Sequence, residues 1–426
     1  MNRKRVVITG MGIVASNATG LEDFKNAIKD GKSGIKFLPE LQKLNFGCQI
    51  GGIPNFSNSK YIDILEKYHF ENAGQNVKYS CLAAAEAWID AGLTIPDPIN
   101  SETDYDTGVI IGSGVGNIDV FTDKIYPIVS QGSVRKLRSH TAEFTMFSAA
   151  SANIALILGC GNHISSNSSA CSTGAESIIL GVERIRNGLA KRMIVGSTEI
   201  ASPYVWGAFD SMRVLCRDYN DTPERASRPM SASAAGFVPS AGAGVLILED
   251  MESALERKAR IYAEISGVAL NSGGQRKDGT MQAPGTEGVR RCLRQSIEDA
   301  GINAGQIDYI CGHLSSTMAD VLEINNWAAV LNRYGNDFPY INSLKSITGH
   351  ALGASGTIET IAAIIQMYYG FLFPSLNCED VHNKINDLIN PDKIVRKTIY
   401  TKNINFVAKA SFGFGDINAS LILKKI

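Results

Sequence analysis

The sequence predicts an α/β protein with helices layered on buried sheets. Three observations carry that reading. Short β-branched runs alternate with helical patterns along the whole chain. Glycine is abundant, 41 of 426 residues, where about 7% is usual, and such a surplus marks tight turns and close backbone approaches. Finally, Ser172-Thr173-Gly174-Ala175-Glu176-Ser177-Ile178 is echoed by Ser355-Gly356-Thr357-Ile358-Glu359-Thr360-Ile361, each opening a helix after a loop of small residues, a short signature of related halves.

In chain order, strands are expected at 5–9, 108–112, 193–198, 245–249, 261–265, 307–311, 340–344, 406–410 and 420–423, where β-branched residues cluster between turn formers. Helices are expected at 79–91, 141–158, 172–187, 286–300, 321–334 and 356–369. In the third of these, Ile178, Ile179, Val182 and Ile185 recur at helical spacing. The charged, polar stretch 252–258 is the best boundary, which predicts two halves, 1–251 and 252–426.

Composition excludes several classes. A formal net charge of −1 argues against non-specific nucleic-acid binding. Hydrophobic residues at 44% and charged residues at 19% exclude a mostly disordered chain. Eight cysteines without a C-x-x-C pair resemble neither a disulfide framework nor a zinc module, so a cytoplasmic protein with free thiols is expected. The longest apolar stretch, 361–373, contains Gln366 and falls short of the ~20 residues of a spanning helix. The start imitates a signal peptide, but Thr9, Gly10 and Gly12 interrupt its apolar run, which reads better as a first core strand and turn.

Gly10-x-Gly12-x-x-Ala15 is a tempting dinucleotide fingerprint. The residues after it, Ser16 to Gly20, continue as loop, and no acidic residue closes a second strand at the expected distance. Gly112-Ser113-Gly114-Val115-Gly116 has the same weakness, so both read as turns at the ends of core strands. The strongest chemical feature is 165–174, a run of small polar residues that delivers Cys171 to the start of an amphipathic helix. The positive helix end there would favour a thiolate; a buried, inert cysteine is the other reading. His313 and His350 each sit on a glycine- and hydroxyl-rich loop after a strand, a position that suits catalytic groups as well as structural ones. Together the three loops offer a nucleophile and two partners for a base or oxyanion donor. None of the six histidines has metal-ligand spacing, so no metal is expected.

At these residues the chain resembles an elongating β-ketoacyl-acyl carrier protein synthase (3-oxoacyl-ACP synthase II-like) of the thiolase superfamily. The likeness runs from Arg5-Val6-Val7-Ile8-Thr9-Gly10-Met11-Gly12 through Ser169-Ala170-Cys171-Ser172-Thr173-Gly174, Ser227-Arg228-Pro229 and Gly236-Phe237-Val238. It continues at Lys345-Ser346-Ile347-Thr348-Gly349-His350 and closes at Ser411-Phe412-Gly413-Phe414-Gly415 with Asn418. The resemblance implies a five-layered αβαβα fold of two pseudo-repeated halves. It implies Cys171 as acyl-accepting nucleophile, a Cys-His-His triad with His313 and His350, and Lys345 nearby, paired with Glu323. Phe414 would be the aromatic gate beside Phe412, its amide sharing an oxyanion hole with that of Cys171. Val115 and Phe209 would line the acyl pocket, Ser315 and Thr317 would bind pantetheine, and Arg135, Lys136 and Arg213 would face the carrier protein. The implied reaction is decarboxylative Claisen condensation with malonyl-ACP. It requires no cofactor beyond the carrier's phosphopantetheine, and it implies a homodimer or a heterodimer with a chain-length-factor-like paralogue.

The departures are local. His313-Leu314-Ser315-Ser316-Thr317 replaces the family's His-Gly-Thr pattern and shortens the segment to Asp320 and Glu323, which predicts a reshaped pantetheine loop. Residues 231–235 lack the usual charges, Ser240-Ala241 replaces Gly and an acid, and Asp416-Ile417 replaces Gly-Thr. These predict a specialised synthase. Gly413-Phe414-Gly415 offers no second cysteine, which counts against a biosynthetic thiolase, and His350 counts against an initiating synthase. A non-catalytic chain-length-factor-like subunit would lack the nucleophile.

Overall fold

The computed structural model describes residues 3–426. Ten strands form the framework: β1 (Val6–Val14), β2 (Thr107–Gly112), β3 (Ile164–Ser165), β4 (Arg192–Glu199), β5 (Gly242–Asp250), β6 (Ala263–Ser272), β7 (Tyr309–Cys311), β8 (Tyr340–Asn342), β9 (Phe406–Gly413) and β10 (Ile417–Lys424). Their order is β3-β2-β4-β5-β1 followed by β6-β10-β9-β7-β8. From β1 outward the pairings run antiparallel, antiparallel, parallel, parallel. From β6 outward the same sequence repeats. The duplication that a seven-residue echo hinted at is therefore a property of the whole topology. The halves meet where Val6–Ile8 pair antiparallel with Ala263–Ile265.

Six helices fill the layers: α1 (Gln75–Asp90), α2 (Ala149–Leu158), α3 (Thr173–Arg186), α4 (Thr286–Asp299), α5 (Ala319–Leu331) and α6 (Ser355–Tyr369). Helices α1 and α2 cover one outer face with a core of Val77, Leu82, Trp88 and Ile154, while α4 and α5 cover the other with Leu293, Ile297, Ile324 and Trp327. Between the sheet halves lie α3 and α6, each touching strands of both. This is the expected five-layered αβαβα fold. Helix α6 is buried along almost its whole length, Gln366 included, because that amide bonds Asn342, Tyr309 and the Phe373 amide. No helix among the described residues is long and apolar enough to cross a membrane.

Two expectations are corrected. Gly10 and Gly12 do not turn the chain: they lie inside β1, where a Cβ would come within 2.2 Å of the Ala87 carbonyl oxygen and 1.9 Å of that of Ala83. They are the seats on which the alanine-rich helix α1 rests, so the apolar run that imitated a leader is a core strand. Gly112 and Gly116, by contrast, do bound a turn, with Gly116 at φ 72°. The helix expected over 141–158 is two helices, Thr141–Thr145 and α2, parted where Met146 turns extended.

Candidate active site

Cys171 sits in the tight turn Ala170–Ser172 that leads into α3. Ala170 adopts φ 49°, a left-handed conformation costly for a residue with a Cβ, so the surrounding contacts must hold it there. They do so from both halves. Thr173 Oγ1 accepts from the Ser169 amide (2.9 Å) and donates to the Ala170 carbonyl (2.7 Å). Ser172 Oγ reaches the carbonyls of Ser411 (3.2 Å) and Ile417 (3.0 Å) on the β9–β10 hairpin. That hairpin lies flat on the cysteine turn because residue 413 is glycine; a Cβ there would be 2.7 Å from the Ser169 carbonyl oxygen.

The cysteine opens onto a cavity of about 340 Å³, lined with His313, His350, Phe209, Phe237, Phe412, Phe414, Ser315, Thr317 and Glu323. The two imidazole rings stand edge to face, centroids 5.4 Å apart, with Phe237 against His350 and Phe412 against His313. Cys171, His313 and His350, from three separated loops, thus come together.

Hydrogen bonds fix which nitrogen of each imidazole carries its proton. The Leu352 amide donates to His350 Nδ1 (3.2 Å), and Ser355 Oγ lies 2.9 Å from the same atom. Nδ1 is therefore an acceptor and the proton resides on Nε2. Lys345 Nζ stands 3.4 Å from His313 Nδ1, which likewise leaves Nε2–H as the donor. Burial, reinforced by the Lys345 and Lys409 ammonium groups, holds both imidazoles well below the usual histidine range, so they stay neutral.

Beneath them is a buried charge network. Glu359 of α6 pairs with Lys345 through Oε1 and with Lys409 of β9 through Oε2 at 2.8 Å. Lys409 also meets Ser411 Oγ (3.0 Å) and the Ala410 carbonyl. The expected pairing of Lys345 with Glu323 is corrected here. Glu323 spends both oxygens on the amides of His313 and Leu314 (2.7 Å each), bracing the histidine loop. Burial pushes its carboxyl up to about 7 against those two amide donors. Glu359 and Lys409 escaped the sequence reading. The signals were present: Glu359 occupies the position of Glu176 in the echoed segment, and Lys409 interrupts an apolar strand.

The Leu314 departure also has a structural account. Its side chain is fully buried in the core under α4 and α5, and the loop beyond it closes on Asp320, which takes the amides of Ser315 (2.7 Å) and Ser316 (3.1 Å). Ser315 and Thr317 are left on the cavity wall, their hydroxyls 3.1 Å apart.

Other placements differ from expectation. Phe209 is on the cavity wall, 6.1 Å from Phe414 between ring centroids. Val115 is not; it lies in the apolar cluster behind Phe209. The backbone before it is drawn onto Glu199, whose oxygens take the amides of Gly114 (2.9 Å) and Gly353 (3.1 Å) and the Ser113 hydroxyl (3.1 Å). Arg135, Lys136 and Arg213 are exposed and form no ion pair among the described residues. The helix-end argument for Cys171 is outweighed: burial pushes its thiol up to about 12, with Glu199 and Glu359 adding to the shift and Lys345 opposing it. No cluster of metal-ligating side chains occurs among the described residues.

Comparison with known proteins converges on one family. Residues 3–254 match the family model described as beta-ketoacyl synthase, N-terminal domain, and residues 262–379 match its C-terminal domain. The chain is 35% identical to 3-oxoacyl-[acyl-carrier-protein] synthase 1 of Haemophilus influenzae over 99% of both chains. It is 32% identical to synthase 2 of Coxiella burnetii over 100% of both. Among solved structures, a β-ketoacyl synthase from Burkholderia phymatum superposes with TM-score 0.88 at 29% identity, covering 99% of this chain and 100% of that one. A type II polyketide ketosynthase in complex with its acyl-carrier protein superposes with TM-score 0.86 at 27% identity, and the ishigamide ketosynthase/chain length factor with 0.85 at 26%, each over 100% of both chains.

Proposed function

The chain belongs to the β-ketoacyl synthase family of acyltransferase-type condensing enzymes, and from that premise we propose that the cavity at Cys171 performs both halves of a decarboxylative Claisen condensation on substrates borne by an acyl carrier protein. In the first half, the Cys171 sulfur attacks the carbonyl of an acyl–carrier thioester. The C–S bond to the carrier breaks, and the proton that Cys171 held at neutral pH leaves on the departing pantetheine thiol. No proton need rest on either imidazole, because both already carry theirs on Nε2.

In the second half, malonyl-ACP loses CO2 and its thioester oxygen takes up the electron pair as an enolate. His313 and His350, neutral Nε2–H donors, stabilise that oxygen. The enolate carbon then attacks the Cys171 thioester, the tetrahedral oxyanion being held by the Cys171 and Phe414 amides. Expulsion of the Cys171 thiolate, which regains a proton from solvent, yields a 3-oxoacyl-ACP two carbons longer. Lys345 orients His313, Glu323 braces its loop, and Ser315 and Thr317 receive the pantetheine arm. Phe209, with Val115 behind it, bounds the acyl chain, and Phe412 and Phe414 close the entrance.

The observation that carries this reading is the pair of buried neutral imidazoles whose Nδ1 atoms are both engaged. An acidic carrier would dock on Arg135, Lys136 and Arg213, which are exposed and make no ion pair among the described residues. The chain would work as a homodimer or beside a chain-length-factor-like paralogue, with 1–251 supplying the nucleophile and 252–426 the histidines. The cytoplasm suits its eight free thiols. The test is transfer of a labelled acyl group from acyl-ACP to the protein, read by intact mass for parent and Cys171→Ala. Labelling of both, or of neither, would refute the assignment.

A further inference from the structure

Asp416 is fully buried on the turn between β9 and β10, two residues beyond Phe414, where the resembled family carries glycine. Its φ of 60° is the left-handed conformation, which aspartate tolerates better than most side chains. Its carboxylate forms no ion pair among the described residues. Instead it accepts the amides of Gln275 (3.0 Å) and Gly285 (2.8 Å), while its carbonyl accepts that of Gly273 (3.1 Å). One residue earlier, the Gly415 amide donates to the Met281 carbonyl at 2.8 Å. Glycines clear the space around this carboxylate: a Cβ at Gly273 or Gly279 would lie 2.1 or 2.5 Å from Asp416 Oδ2.

These four hydrogen bonds tie the segment 273–285 to the turn that bears Phe414, and that segment contributes Gln282, Ala283 and Pro284 to the cavity wall. The segment has no regular secondary structure of its own between Ser272 and Thr286, so the carboxylate supplies anchoring that a helix or strand would otherwise give. Each carboxyl oxygen of Asp416 accepts one backbone amide of the segment, and a buried amide left without its acceptor is costly.

We propose that Asp416 is a positioning residue: it fixes segment 273–285 as a wall of the cavity and so sets how tightly carrier-borne acyl substrates are held on the way to Cys171. The substrate half of this inference rests on the function proposed above; the structural half does not. The experiment uses the full chain as Asp416→Gly, which accepts the backbone conformation and removes the carboxylate, and as Asp416→Asn, which keeps one acceptor oxygen. Amide hydrogen exchange across 273–285 should speed at least tenfold in Asp416→Gly, with Asp416→Asn between it and the parent and the rest of the chain unchanged. KM for acyl-ACP should rise about fivefold with kcat within twofold, and Asn should restore part of the loss. Unchanged exchange across 273–285, or a kcat that falls as far as KM rises, would overturn the proposal. A parent enzyme that fails to acylate Cys171 would instead refute the functional reading and leave the exchange result to decide the anchoring.

Discussion

Removing the His350 imidazole should separate folding from chemistry. His350 is 3% exposed and neutral, with Nδ1 engaged by the Leu352 amide at 3.2 Å, and under the proposed function its Nε2–H donates to the reacting oxygen. A preorganised donor at a developing oxyanion contributes about 3–4 kcal/mol, or 10²–10³ in rate. Substitution by alanine also strands the buried Leu352 amide, a cost of about 1–3 kcal/mol that falls on stability rather than on the barrier. The assay is CO2 release from malonyl-ACP in a Cys171→Ala background, where acylation cannot occur but the enolate can still form. We expect Cys171→Ala to decarboxylate and Cys171→Ala with His350→Ala to do so 10²–10³-fold more slowly, with a folded state still present by thermal melting. Decarboxylation at the rate of Cys171→Ala alone would refute the donor assignment.

Alkylation of Cys171 by iodoacetamide should climb about tenfold per pH unit from pH 7 to 10 without levelling, because only the thiolate reacts and burial pushes the thiol up to about 12; a plateau below pH 8 would mean the resting enzyme holds a thiolate. Burial raises the Glu199 carboxyl to about 7, so the folded state binds its proton more tightly than the unfolded chain, and the associated stability, present at low pH, is lost as pH rises through that value. Glu199→Gln cannot ionise, so its melting temperature relative to the parent should increase from pH 5 to pH 8, and a constant difference would show that Glu199 does not titrate there. Charge reversal at Arg213 should raise KM for acyl-ACP severalfold at low salt, and the effect should shrink as salt screens it; an effect indifferent to salt would move Arg213 out of the docking surface.

The parts of this molecule legible in its sequence are those that local pattern determines. Strands such as β5 and β9 announce themselves as apolar runs, and α3 by the spacing of Ile178, Val182 and Ile185. Cys171, His313 and His350 stood out because each sits among small or hydroxyl residues after a strand. What stayed hidden depends on contacts across the sequence. Gly10 and Gly12 look the same whether they turn a chain or seat a helix, and only the approach of α1 decides. Lys345 is 14 residues from Glu359 and 22 from Glu323 in sequence, and spacing gives no reason to prefer either. Glu323 is drawn off by the His313 and Leu314 amides, a competition that exists only once the loop has folded. Val115 left the cavity wall for a similar reason, since Glu199 gathers the backbone in front of it.

The contact between α3 and α6 governs how the Cys171 and His350 loops keep their spacing. At Gly174 a Cβ would lie 2.6 Å from the Thr357 nitrogen, and at Gly356 a Cβ would lie 2.5 Å from that of Ala175. The helix that follows Cys171 and the helix that follows His350 thus meet at main-chain distance, with the hydrogen-bonded hydroxyls of Ser197 and Thr357 (2.8 Å) packed against the same point. The spacing of the two helix starts, and with it that of the Cys171 and His350 loops, is therefore held by close main-chain packing. Surface loops can drift, substrates can come and go, and residues around the rim can diverge without altering that length. A single methyl group at either glycine would act as a shim, prying the Cys171 and His350 loops apart from a buried point between the two helices.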